Sequence, residues 1–306
     1  MFPPKRSICT ILALGLLSSV AAGTDFHVAP PPLGDNANPG TLAQPFATIT
    51  HAELQTAAGD TVHLHEGIYR EFVLFRSTGT PAAPITYQPY NDGSGPDKVT
   101  VSGFDPITPG SNGAGHWQVH DGSIYKIQLS PNYGLIPGAS TILLDGIVQK
   151  IARWPNAPSP YDFHWNNMAS PQGAAHDPSS EGPEPPYSGT FFTATYTDAE
   201  LPGEGPNEWL GARIDTSPGT GVFRDTGLVI GSDAGGLTFR YRPYLQSTAL
   251  VSEADPYFLW NHLRALDQEG EYFYDIEGVS GPPHTLYLHA PGGTSPAGHR
   301  VEIKSR

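Results

Sequence analysis

The chain has 306 residues, with 30 acidic side chains against 16 basic ones and a formal charge of −14 at neutral pH. Such a chain repels phosphate backbones, and no basic patch with interleaved aromatics offsets the repulsion, which argues against a nucleic-acid partner. Gly 35 and Pro 32 beside 10% aromatics describe a turn-rich globular β protein, with too much apolar material for a disordered one.

Residues 1–23 read as an export signal. Lys5 and Arg6 form a basic start, Ile8 to Leu17 a short apolar core, and Val20-Ala21-Ala22-Gly23 a small-residue cleavage region. The apolar run is too short to cross a bilayer, so no membrane span is expected. The single cysteine, Cys9, leaves with the signal. Disulfides and thiolate metal sites are then excluded, and the mature fold must rest on burial. The expected location is secreted, extracellular or periplasmic.

A helix is expected over Thr48 to Ala58. Thr48 is its N-cap, Thr50-His51-Ala52-Glu53 has capping-box spacing, and Gly59 is its stop. Ile49, Ala52 and Thr56 share its apolar face, with Leu54 off it. Strand-like pieces follow at Thr61–His65, Phe72–Phe75, Pro84–Tyr87 and Val99–Ser102. Val62 and Ile85 lie 23 residues apart, a spacing compatible with solenoid repeats. From Phe104 the pattern turns to hairpins. "STILLDGIVQ" folds around Asp145-Gly146, "LVIGSDAGGLTFRY" has a looser glycine loop, and "EYFYDIEGVSGPPHTLYLHAP" places Tyr272 and Tyr274 on one face and Phe273 on the other. Ala157–Ser188, rich in Pro, Gly, Ser and His, reads as a flexible excursion.

These stretches carry a resemblance. "NPGTLAQPFATI", "AAGDTVHLHEGIYRE" and "PAAPITYQPYNDG" resemble the N-terminal cap and first coil of secreted, pectate-lyase-like right-handed parallel β-helix proteins. "DGIVQKIARWPN", "EWLGARID", "LDQEGEYFYD" and "HTLYLHAPGGTSP" resemble the β-sandwich-like insertion of a subset that includes glycoside hydrolases and relatives of polysaccharide lyases. The implied fold is all-β. Residues 24–103 would form the cap and first coil, 104–260 a β-rich inserted domain, and 261–306 a hairpin returning to the β-helix. Two departures stand out: Glu53 occupies a cap-helix position that is apolar in similar proteins, and Tyr272 stands where an indole is common. Solenoids need roughly three or more repeats to bury a core. Little more than one is visible, so the chain is expected to be an inactive N-terminal fragment.

Several residues are candidates for chemistry. His63 and His65 alternate with Val62 and Leu64 and leave one face, with Glu66 next; two imidazoles there could share a metal, but an exposed polar strand face is the preferred reading and no metal site is assigned. Asp267 and Glu269, with Glu271 and Asp275 nearby, are acid/base candidates for glycoside hydrolysis, which needs two carboxyls; solvated turn carboxylates are the alternative. Arg153, Trp154 and Asn156 could contact sugar, the indole by stacking and the polar pair by hydrogen bonds. A buried strand end stopped by Pro155 is the alternative. The lysines Lys98, Lys126, Lys150 and Lys304 are scattered, and no Asp-rich calcium loop or nucleophile motif is present. No cofactor is evident, and calcium, if used, would belong to coils beyond this stretch. The expectation is an exported carbohydrate-active protein whose full-length relatives cleave polysaccharide as hydrolases or lyases. The alternative is a non-catalytic glycan-binding or surface β-helix protein.

Overall fold

The computed structural model describes residues 23–304, apart from 112–113, 137–139, 160–164, 185–186, 204, 219–223 and 243–249. Residues 1–22 of the expected export signal lie outside the described residues. Among those residues no helix is long and apolar enough to cross a membrane. The chain is mostly β and forms two compact units, Met1–Gly103 and Phe104–Arg306.

The first unit contains β1 (Asp25–Val28), α1 (Ile49–Glu53), β2 (Thr61–Leu64), β3 (Gly67–Arg70), β4 (Thr86–Pro89) and β5 (Val99–Ser102). Strands β1, β2 and β4 run parallel in one sheet, and β3 pairs in parallel with β5. Alternation sends Val28, Val62 and Leu64 inward, where they meet Phe46, Ile49, Ala52 and Tyr69. The register pairs Val62 with Tyr87, so the expected match of Val62 with Ile85 is off by two residues. Phe72–Phe75 is not a strand; Phe72, Leu74 and Phe75 are exposed, and the pairing strand is β3 instead. Gly67 makes the corner before Tyr69 at φ 149°, and a Cβ there would meet Pro30 Cγ at 2.5 Å. The Tyr69 hydroxyl then lies 2.8 Å from the carbonyls of both Val28 and His65.

The helix begins as expected, with Thr48 accepting from the His51 N–H at 3.1 Å. It ends at Leu54, well before Gly59, and the expected capping box does not form. Thr50 gives its N–H to Glu71 at 2.8 Å, and Glu53 turns away to accept from the backbone N–H groups of Arg76 and Ser77 at 2.5 and 2.7 Å. These bonds hold the Glu53 carboxyl below its usual range and explain an acid on an otherwise apolar face. Ile49, Ala52 and Thr56 are buried and Leu54 is exposed.

The second unit opens with β6 (Phe104–Pro106), β7 (Gln118–Asp121), β8 (Ile124–Gln128), β9 (Ile142–Leu144), β10 (Ile147–Val148), β11 (Lys150–Ile151) and β12 (Arg153–Trp154). It continues through β13 (Gly173–Glu184), β14 (Tyr187–Thr197), β15 (Arg213–Thr216), β16 (Asp225–Asp233) and β17 (Gly236–Tyr241). It closes with β18 (Tyr257–Trp260), β19 (Glu271–Asp275), β20 (Thr285–His289) and β21 (Val301–Lys304). Among the described residues three sheets result, in the orders β10-β9-β21-β6, β11-β19-β20-β8-β7 and β12-β18-β15-β16-β17-β14-β13.

The β11-to-β7 sheet is the middle layer. Tyr272, Tyr274, Leu286 and Leu288 pack with Ile142, Leu144, Val301 and Ile303 on one side. Phe273 and Tyr287 pack with Trp209, Tyr241, Tyr257 and Leu259 on the other. An antiparallel sheet more often leaves one face to water; here the "EYFYD" and "TLYLH" strands carry bulk on both. The three expected hairpins form, and Asp145 and Gly146 adopt φ 51° and 83° at the first tip. Tyr272 gives its hydroxyl to the Ser140 carbonyl at 2.8 Å, a bond for which phenol reach suffices.

Two expectations change. Much of Ala157–Ser188 is hairpin: β13 pairs with β14, which runs on beside β17. β13 carries no β-branched residue of its own; its partner β14 supplies Thr193, Thr195 and Thr197, set opposite Asp177, Ala175 and Gly173. The segment 261–306 contributes strands to the second unit: β19 pairs with β11 and β20, β20 also with β8, and β21 with β9 and β6. The described sheets are both parallel and antiparallel. Three parallel strands and one parallel pair in the first unit do not by themselves establish a right-handed parallel β-helix.

Candidate functional site

The edge of the middle sheet in the second unit gathers most of the sequence candidates. Strand β11 pairs with β19 so that Lys150 lies opposite Glu271. The turn before β19 supplies Asp267, Gln268 and Glu269. The turn after β12 supplies Asn156, whose amide donates to Asp267 Oδ1 at 2.9 Å. The two sequence-distant candidate segments therefore meet.

Lys150 is the centre of this cluster. Its Nζ donates to Gln268 Oε1 at 3.1 Å and to the Ala157 carbonyl at 3.3 Å, and stands 3.9 Å from Glu271 Oε1. Glu271 is fully buried. It accepts from the Gln268 N–H at 3.2 Å, while Oε1 has no hydrogen-bond partner. Burial pushes its carboxyl up to about 7, against the pull of that bond and of Lys150. Asn156 Oδ1 and Gln149 Oε1 are likewise buried acceptors without a donor, and buried polar atoms of this kind call for an explanation. Beside the cluster lies a cleft of ≈ 440 Å³ lined by Asp145, Ile147, Lys150, Glu269, Pro291 and His299 among others. Asp145 accepts from His299 Nδ1 at 2.6 Å and from the Arg300 N–H at 2.8 Å. These bonds, the His299 one first, hold its carboxyl below the usual range.

The individual candidates fare differently. Arg153 is buried and turned inward; its Nε donates to the Pro155 carbonyl at 2.9 Å, its Nη2 to the Asn167 carbonyl at 2.5 Å, and its guanidinium lies 4.2 Å over Phe258. The guanidinium braces a strand end. Trp154 is half-buried, tilted against Trp209 and Tyr257. Glu269 accepts from the Gly292 N–H at 3.0 Å and lines the cleft. Asp275 is buried and accepts from the Gly278, Val279 and Ser280 N–H groups, the role of a turn organiser. Sequence reading named Lys150 only as one of several scattered lysines. Its pairing with Glu271 depends on a parallel contact between strands more than 100 residues apart, which no local pattern reveals.

In the first unit, His63 and His65 share the outward face as expected but do not join each other. His63 Nε2 meets Asp25 Oδ1 at 3.1 Å. His65 Nε2 instead faces Nδ1 of His27, a residue the sequence reading passed over, at 3.0 Å. The rings are clamped: His27 stacks on His63 with centroids 4.9 Å apart, and His65 on Tyr90 with centroids 4.5 Å apart. Glu66 gives its N–H to Asp97 and takes no part in the ring cluster. The signal was present in the matching alternation of "DFHV" and "TVHL", whose register sets His27 beside His63. Among the described residues no group of three or more His, Cys, Asp or Glu side chains is arranged to hold a metal ion.

No family model matches the chain. Among curated proteins, the uncharacterized protein YwoF of Bacillus subtilis (strain 168) is 33% identical over 105 residues, covering 30% of this chain and 22% of its own length. Among solved structures, one described as a glycoside hydrolase superposes with a TM-score of 0.60 at 16% identity, over 92% of this chain and 46% of its own. The complex of XylC with xylose gives a TM-score of 0.42 at 17% identity, over 92% of this chain and 32% of its own. The first of these shares the fold; the second is too distant in shape to argue from. The chain spans about a fifth of the curated relative and less than half of the glycoside hydrolase.

Proposed function

We propose that the chain belongs to an exported, carbohydrate-active protein of the polysaccharide-cleaving kind, hydrolase or lyase, and that its parallel strands are coils of a β-helix. The observation that carries the reading is the fold shared with a glycoside hydrolase over 92% of the chain. The second-unit cleft supports it chemically. Lys150 and Glu269 at its wall can exchange hydrogen bonds with sugar hydroxyls, and Ile147 and Pro291 offer apolar surface to a pyranose face. Glycoside hydrolysis needs an acid that is still protonated at working pH, and Glu271, pushed up to about 7 by burial, keeps its proton below that pH. It is sealed from solvent, however. That sealing, with Arg153 turned inward, favours the second reading, in which this part of the molecule binds glycan and does not cut it.

The test is a panel of plant and algal polysaccharides assayed for new reducing ends, unsaturated products and binding. Reducing ends without unsaturation indicate a hydrolase, and unsaturated ends indicate a lyase. Binding without products, weakened by Lys150→Met and Glu269→Gln, indicates a glycan-binding unit. Neither binding nor cleavage of any polysaccharide would overturn the carbohydrate reading.

A further inference from the structure

Two imidazole nitrogens that face each other must either share a proton or share something else. His27 Nδ1 and His65 Nε2 are 3.0 Å apart. Imidazole binds Zn²⁺ and similar ions at about 2.0–2.1 Å. Two such ligands are about 2.9 Å apart at a right angle and about 3.3 Å apart at the tetrahedral angle, by simple trigonometry on that bond length. The observed spacing fits the right angle. Right-angled nitrogen pairs suit tetragonal ions, and Cu²⁺ heads the affinity order for divalent metals with nitrogen ligands.

The surroundings are built for the same purpose. Ligating histidines usually direct their second ring nitrogen at a carboxylate, which fixes the tautomer and strengthens the ligand. His65 turns its Nδ1 toward the Asp97 carboxylate, 3.7 Å from Oδ2, beyond direct hydrogen-bond reach but close enough for attraction between opposite charges. The stacks on His63 and Tyr90 hold both rings in place before any ion arrives. Asp25, occupied with His63, adds a second carboxylate to the same face.

We propose that His27 and His65 form a two-imidazole chelate on the outer face of the first unit's parallel sheet, selective for a tetragonal divalent ion of the Cu²⁺ class, with water completing its coordination. The proposal stands apart from the carbohydrate reading, since every residue in it lies in the first unit and none lines the cleft.

The test is titration of the full chain, its terminal amine blocked, with Cu²⁺, Ni²⁺ and Zn²⁺, followed by calorimetry and electron paramagnetic resonance. Blocking matters because a free terminal amine binds copper in its own right. Expected are one saturable Cu²⁺ site with two equatorial imidazoles, affinities in the order Cu²⁺, Ni²⁺, Zn²⁺, and a loss of about 10- to 100-fold in His27→Gln, His65→Gln and Asp97→Asn. His63→Gln should keep the two-imidazole spectrum. Should a variant fail to fold, copper broadening of imidazole resonances in the parent gives the answer, with His27 and His65 lost first and His299 spared. Absence of a saturable site, copper binding unchanged in both histidine variants, or broadening centred on other histidines would overturn the proposal.

Discussion

In the first unit, Val28, Val62 and Leu64 turn one face of a parallel sheet inward while His27, His63, His65 and Tyr90 cover the other. In the second, β19 and β20 bury both faces, Tyr272 and Tyr274 into one core and Phe273 and Tyr287 into another. The difference decides where polar chemistry can reside. A one-sided sheet can line up imidazoles on its other face, His27 buried among them and His63 and His65 partly exposed. A two-sided sheet pushes its polar residues to the edge, and Lys150 and Glu271 sit there, with the acid fully buried.

The largest expected effect comes from breaking the two-sided sheet. Phe273→Ala should cost the second unit about 3–5 kcal/mol, as deletion of a buried aromatic ring does. Hydrogen exchange read alongside urea melts should show the loss in β19, β20 and the strands packed on them, with β1 and β2 protected as before. Equal loss of protection in both units would erase the comparison.

Next in size is the buried acid. Because burial raises the Glu271 pKa from 4.5 to about 7, the folded state holds that proton more tightly than the unfolded state. Its contribution is present below about pH 4.5 and is lost as pH rises through 7. Glu271→Gln should therefore match the parent near pH 4 and exceed it at pH 8, by on the order of 2–3 kcal/mol. Urea midpoints at the two pH values check the sign, and a variant less stable at pH 8 would contradict it.

Smaller effects belong to the first unit. Thr48→Ala removes the cap bond to His51 and should cost about 1 kcal/mol. Glu53→Ala should lower the melting midpoint more than Glu53→Gln, because only the amide can still accept from Arg76 and Ser77. Leu54→Lys, at an exposed position, should stay within about 0.5 kcal/mol of the parent.

Much of this architecture was legible in the sequence because its signals are local. Thr48 caps, Asp145-Gly146 turns and the two faces of "EYFYD" are short-range patterns. The end of the helix was not, because Glu53 and Glu71 bond to backbone more than 20 residues away. The β13–β14 hairpin was hidden by loop-like composition, which says little about what cross-strand pairing can hold. The candidate sites were half legible. Asp267 and Asn156 were each singled out, but their contact, like that of Lys150 with Glu271 or His27 with His65, comes from register between distant strands.

The most direct test of the claim that the buried edge of the second unit holds a proton well above the usual carboxylate range is an isotope-edited infrared titration of the Glu271 carboxyl, assigned by its loss in Glu271→Gln. The carboxyl band should persist through pH 6 and give way to carboxylate with a midpoint of about 7. A midpoint near the ordinary 4.5 would mean that water reaches Glu271, and that the edge is not the sealed acid site described.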